Sequence, residues 1–172
     1  MWETHKLYMS NSKIKGEITE LKVLGILLSE LRNENYDIYR PIIDIKGIDL
    51  IIRKLNKEKS KSYYLELQIK SRSSEAKNPY LFAGLKVEER DNYYFVFYTE
   101  INIKDNTEEK MWLVPSTKIK SVGKQNKKAG KNEGKYTINN CQKNCNEYEV
   151  EMNKLSEKID EIFEKLSKDS MI

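Results

Sequence analysis

Two apolar stretches carry polar residues that a purely structural sheet does not call for. Asp49 sits inside the run Ile48-Asp49-Leu50-Ile51-Ile52, and strand interiors disfavour aspartate. Further along, Tyr63 to Lys70 alternates. Leu65, Leu67 and Ile69 fall on one face, and Tyr64, Glu66, Gln68 and Lys70 on the other. Neighbouring strands lie about 4.8 Å apart, so pairing of the two stretches brings Asp49 towards the Gln68–Lys70 pair. Glu20 lies beside the apolar stripe of an earlier helical segment, with Leu24 and Leu27 on its flank. Together these groups form a carboxylate-rich corner with one lysine nearby.

Such a corner suits metal-assisted hydrolysis of a phosphodiester. Hard oxygen ligands hold Mg²⁺ (or Mn²⁺), and Mg²⁺ keeps several waters and needs few carboxylates. The ion activates water and neutralises charge on the scissile phosphate. A lysine two residues from a ligand holds the attacking water or stabilises transition-state charge. The other reading of the same residues is a half-exposed sheet face bearing ordinary surface charge.

The ordered set of motifs resembles the PD-(D/E)XK nuclease superfamily over Lys15 to Arg72, about a third of the chain. Lys15-Gly16-Glu17-Ile18-Thr19-Glu20 is similar to the first-helix motif of small archaeal Holliday-junction resolvases and related nucleases. Gly47-Ile48-Asp49-Leu50-Ile51 resembles the strand that carries the metal-binding aspartate. Leu67-Gln68-Ile69-Lys70-Ser71-Arg72 is similar to the strand that carries (D/E)XK, here in the QXK form of predicted prokaryotic nucleases. The motif's proline is absent, with Ile48 in its place, and Gln68 replaces the acidic residue. Gln68 removes one negative charge from the metal site, which Glu20 restores; Glu66 is a second candidate for that role.

The resemblance implies a restriction-endonuclease-like α/β fold and a DNA endonuclease, a deoxyribonuclease dependent on Mg²⁺ or Mn²⁺. Glu20, Asp49, Gln68 and Lys70 would form the catalytic site. Glu20, Asp49, the Gln68 side-chain oxygen and the Ile69 carbonyl would hold the metal, and Lys70 would be the catalytic lysine. Lys15, Arg72 and Lys77 would contact DNA. A homodimer, which lets a small nuclease cut both strands, is implied in the same way. The rival is a catalytically inactive module on the same fold that binds DNA or a protein partner, with Gln68 the residue favouring it.

These side chains need a scaffold, and the hydropathy pattern supplies one. Ile14, Ile18, Leu21, Leu24, Gly25, Leu28 and Leu31 recur at three-and-four spacing, one face of a helix. Tyr36 to Arg40, Ile48 to Ile52 and Tyr63 to Lys70 read as strands. Tyr80 to Arg90 is ambiguous, with room for a turn of helix. Tyr93 to Thr99 is aromatic and uninterrupted, a strand buried on both sides. Asn102 to Glu109 reads as a polar hairpin loop, and Met111 to Val114 pairs with the preceding strand. Pro115-Ser116 opens a short helical turn. Val122 to Lys135 is rich in Gly, Lys and Asn and reads as a mobile loop, followed by a short strand, Tyr136 to Ile138. Cys145 to Lys168 reads as one long amphipathic helix. The expected architecture is a mixed central sheet flanked by helices, with a loose arm over 1–12, an α/β domain over 13–140 and a C-terminal helical segment over 141–172. That last segment packs on the domain or on a partner.

Composition bounds the alternatives. The chain has 172 residues, 38% hydrophobic and 34% charged, with net charge +4. That suffices for one packed domain. No stretch approaches the roughly 18 apolar residues of a membrane span, so no membrane association is expected. The N-terminal residues lack the apolar core of a secretory signal, and a cytoplasmic location is expected. Cys141 and Cys145 are the only cysteines and His5 the only histidine. This disfavours a zinc site, a disulfide scaffold and most histidine-based nucleophile schemes. The aromatic run at Tyr93 to Tyr98 reads as core in preference to a base-stacking platform. Seven lysines stand against Glu133 alone between Lys118 and Lys135. They form either a clamp for DNA phosphates or a solvated loop.

Overall fold

The computed structural model describes residues 11–32, 35–42, 47–56, 60–72, 76–103 and 106–169. The arm expected over 1–12, apart from its last two residues, lies outside that set, as does His5. The chain opens with helix α1 (Asn11–Glu30), followed by strands β1 (Tyr36–Tyr39), β2 (Leu50–Asn56), β3 (Lys61–Arg72) and β4 (Phe82–Leu85). A long hairpin follows, β5 (Tyr93–Ile103) and β6 (Asn106–Pro115). Then come a 3₁₀ turn at Ser116–Lys118, α2 (Ile119–Val122), β7 (Lys124–Gln125), β8 (Tyr136–Ile138), α3 (Cys141–Asn144), β9 (Glu149–Val150) and α4 (Leu155–Asp169).

Six strands form a central sheet in the order β1-β2-β3-β5-β6-β9, and three form a small second sheet, β4-β8-β7. The β3–β5 pair is parallel; the other central pairs are antiparallel. The expected mixed sheet flanked by helices, with a C-terminal helix, is therefore present.

β5 explains the layering. All seven residues from Tyr93 to Thr99 are buried. Alternate side chains leave a strand on opposite faces, so each face needs its own cover. Tyr94, Val96 and Tyr98 join Leu65, Leu67 and Ile69 of β3 under the apolar sides of α1 and α4. Tyr93, Phe95 and Phe97 face the other way, against Phe82 and Leu85 of β4, Ile119, Ile138 and the two buried cysteines. The segment Tyr80–Arg90, ambiguous in sequence, thus contributes a strand, because Phe82 and Leu85 must meet β5 and pair with β8.

α1 corrects the periodicity reading. Its core-facing residues are Val23, Leu27 and Leu31, with Leu24 and Ile26 partly buried beside them. Ile14, Ile18, Leu21 and Leu28 lie exposed on the opposite side with Gly25. The helix carries two apolar arcs, and a three-and-four spacing fits either one. Lys22 fixes the choice: its Nζ donates to Glu100 Oε1 at 2.6 Å and to Glu109, tying the helix to the β5–β6 hairpin.

The C-terminal helix is shorter than the expected Cys145–Lys168 and starts at Leu155. A 3₁₀ turn at Asn146–Tyr148, strand β9 and a second 3₁₀ turn at Met152–Lys154 precede it. Val150 leaves the helical pattern to pair with Met111 on the sheet edge. Leu155, Ile159, Ile162 and Phe163 of α4 are buried in the chain's own core. Asp160 accepts hydrogen bonds from Tyr36 and Lys54, which secures α4 to β1 and β2.

The two arcs of α1 predict opposite responses to truncation. Leu27→Ala should cost about 2–5 kcal/mol of unfolding free energy, since Leu27 is 1% exposed. Leu21→Ala, at 53% exposed, should stay within about 0.5 kcal/mol of wild type. Urea unfolding followed by tryptophan fluorescence measures both.

Candidate active site

The site begins where β2 stops. β2 pairs with β3 as far as Leu50 opposite Leu67, and the Asp49 N–H still donates to the Leu67 carbonyl at 2.9 Å. Asp49 itself lies just outside the strand. The next inward N–H of β3, that of Ile69, has no strand carbonyl opposite it. Asp49 Oδ2 accepts it instead at 2.6 Å. A buried donor left without a partner is costly, so the carboxylate completes the sheet edge and is oriented by doing so. This places Asp49 across from Gln68.

Gln68 is only 7% exposed. Its Oε1 accepts from the Tyr93 hydroxyl at 3.3 Å. Burial pushes the Tyr93 phenol up to about 12, with Arg90 pulling it down and Asp49 adding to the rise. The hydroxyl is therefore a firm donor at neutral pH. Gly47 closes the other side: its φ is +77°, and a Cβ there would overlap the Gln68 Nε2. Only glycine adopts that left-handed conformation without strain and leaves room for the amide.

Glu20 reaches the same corner from α1. It lies in line with Val23 and Leu27, so it belongs to the core-facing side of the helix and not beside it. Its carboxyl is held above the ordinary value of 4.5 by burial and then by the charge of Asp49. Arg40 and Lys70 act in the opposite direction, and Arg40 approaches Glu20 Oε2 at 3.5 Å. Helix, loop and strand thus bring Asp49 and Lys70 within electrostatic reach of Glu20.

The remaining expected residues separate into three groups. Glu66, a candidate substitute for the missing acid, is held by Arg90 at 2.5 Å. Arg90 also lies over the Tyr93 ring at 4.7 Å and braces this flank. Arg72 donates its Nε to the Leu81 carbonyl at 2.6 Å and fastens β4 to the end of β3. Lys77 is exposed in the bend that follows. The Lys15 side chain lies outside the described residues. Arg40, Gly47 and Tyr93 carry no sequence signal that marks them as site residues. Tyr93 reads as core and indeed is core, and its polar end is the part that reaches the site.

Among the described residues no group of three or more His, Cys, Asp or Glu side chains is placed to hold a metal ion. The donors available are two carboxylates, the Gln68 side-chain oxygen and backbone carbonyls. This hard, oxygen-only set fits Mg²⁺ or Mn²⁺ completed by water, and does not fit zinc. The mutual repulsion of Glu20 and Asp49 is a strain that a cation would relieve. No family model matches the chain, and neither the curated proteins nor the solved structures contain a match.

The raised Glu20 carboxyl has a definite consequence for stability. Its folded value exceeds the unfolded one, so its contribution is present below the ordinary carboxylate range and is lost as pH rises through the folded value. Without divalent ions, Glu20→Gln should raise Tm at neutral pH. The gain should vanish in acid, where the wild-type carboxyl is already protonated. Thermal melts of both proteins across this range check the sign.

Proposed function

We propose that this protein is a metal-dependent DNA endonuclease with a restriction-endonuclease-like fold. The observation that carries the reading is that Asp49, at the frayed β2–β3 edge, and Lys70, on the adjoining strand with Gln68, both act electrostatically on Glu20. A helix glutamate, a pre-strand aspartate and a strand QXK are the parts that metal-assisted phosphodiester hydrolysis uses, and the electrostatic coupling of Glu20 to Asp49 and Lys70 supports that reading.

Divalent metal, when bound, supplies positive charge at the scissile phosphate and acidifies water. Glu20 and Asp49 bind that metal, with Gln68 and the Ile69 carbonyl as neutral oxygen donors. Asp49 does so from a fixed orientation, because its second role is to hold the Ile69 N–H. Lys70 holds the attacking water or the charge that grows on the phosphate oxygens. Lys77 contacts the DNA backbone, and the resemblance gives the same role to Lys15. Arg72 acts first as a structural clasp for β4, with any phosphate contact made by the rest of its guanidinium.

A second reading has its own observation. Gln68 is neutral and occupied by Tyr93, which leaves two carboxylates where the motif usually has three acidic groups. On this reading the fold is retained as an inactive module that binds DNA or a protein partner.

Plasmid nicking with Mg²⁺ or Mn²⁺, alongside titration calorimetry of the same metals, separates the two. Wild type should nick and bind metal. Asp49→Ala should lose both while retaining its circular dichroism spectrum, and Lys70→Ala should lose nicking by at least about a hundredfold while retaining metal binding. Absence of nicking by wild type, with DNA still bound, selects the inactive module. Gln68→Glu adds the missing charge and should tighten metal binding by about tenfold or more; no change would remove Gln68 from the metal shell.

A further inference from the structure

Two stretches of this protein are strongly basic, residues 53–72 and residues 118–135, and the second is the more positive. Residues 118–135 hold seven lysines and one glutamate, a local net charge of +6, whereas the whole chain nets +4. The rest of the molecule is therefore net negative. The segment is also built, not loose. β7 and β8 pair through Lys124–Thr137 and Gln125–Tyr136. Across the tip, Asn126 N donates to Lys135 O, Gly134 N to Asn126 O, and Gln125 Nε2 to Gly134 O. Turns close with Glu133 N on Gly130 O and Lys135 N on Asn132 O. Asn132 rests against Gly84 of β4, and β4 is clasped to β3 by Arg72. The loop expected to be mobile is an internally bonded hairpin in the second sheet.

At the base of this hairpin lies a groove of about 310 Å³ lined by Ser121, Gly123, Lys124, Thr137, Asn139 and Asn144. Its lining contains no carboxylate. Among the described residues, one of the seven lysines, Lys120, pairs with an acidic side chain, Glu89. Lys124, Lys127, Lys128 and Lys131 are exposed.

We infer that the β7–β8 hairpin and its basal groove bind the phosphodiester backbone of duplex nucleic acid. Lysines, hydroxyls and side-chain amides are the groups that contact backbone phosphates, and they fix position without reading sequence. Residues 118–135 contain no aromatic side chain, and Tyr136 of β8 is partly buried against the core beneath the second sheet, so the hairpin tip offers no platform on which unpaired bases would stack. The tip, residues 126–135, has no large apolar residue, which argues against insertion into a lipid surface. The choice of DNA as the duplex rests on the nuclease reading above. The hairpin then grips the substrate through residues other than those that carry the chemistry.

The test is fluorescence anisotropy of a labelled DNA duplex with the full chain in EDTA, over a series of salt concentrations. The variant is Lys124→Ala/Lys127→Ala/Lys128→Ala, with its fold checked by circular dichroism. Each phosphate contact contributes a slope of about 0.9 in log K against log salt. The triple variant should bind more weakly and its slope should be shallower by about 2 to 3. An unchanged slope and affinity overturn the inference. So does displacement of the duplex by millimolar inorganic phosphate, which would mark a single-phosphate pocket. Equally tight binding to equimolar phosphatidylcholine–phosphatidylserine vesicles would likewise overturn it. Failure of the nuclease reading looks different: hairpin-dependent duplex binding would persist with no Asp49-dependent nicking.

Discussion

Seven consecutive buried residues in β5 impose the architecture. No single layer covers a strand whose two faces are both apolar, so the chain builds one on each side. Helices α1 and α4 cover Tyr94, Val96 and Tyr98, and the small sheet with α2 and α3 covers Tyr93, Phe95 and Phe97. The parallel β3–β5 pairing then fixes β3 between these layers. The candidate site lies on β3, so its position follows from how β5 is buried.

Within that frame the site exploits an edge. β2 leaves the ladder at Leu50 while β3 continues to Arg72. The Asp49 carboxylate fills the gap by accepting the Ile69 N–H. One carboxylate thus completes the sheet and also acts on Glu20 through its charge. Burial first, and the charge of Asp49 second, raise the Glu20 carboxyl, and the opposing charges of Arg40 and Lys70 offset this only partly. A half-buried carboxyl raised in this way, beside a second carboxylate, is a pattern that binding sites share.

Much of this was legible from residue types. Asp49 within an apolar run and the alternation through Gln68 and Lys70 point to the corner, and β1, β3 and β8 follow their patterns closely, whereas β2 starts two residues late and runs on to Asn56, and β5 and β6 extend into the segment that reads as a polar loop. The face of α1 was not legible, because Val23–Leu27–Leu31 and Ile14–Ile18–Leu21–Leu28 both satisfy helical spacing. Glu20 therefore appeared beside the buried stripe when it is part of it. The break before α4 was hidden because Val150 and Met152 fit a continuous helix; edge pairing with Met111 overrides that preference. The lysine-rich hairpin had the composition of a loop, and its order comes from backbone hydrogen bonds that composition does not encode.

The sequence by itself determined the inventory: a mixed α/β chain, a strand apolar on both faces, two separated carboxylates, a QXK strand and a block of lysines. These are local properties, set by side-chain chemistry and the periods of helix and strand. Tertiary structure decided which face of α1 is buried, that Asp49 closes the β2–β3 edge, that Gln68 lies between Gly47 and Tyr93, and that Arg90 holds Glu66. Each of these depends on groups distant in sequence competing for the same buried space and the same hydrogen-bond partners. That competition is resolved only when all the layers pack at once.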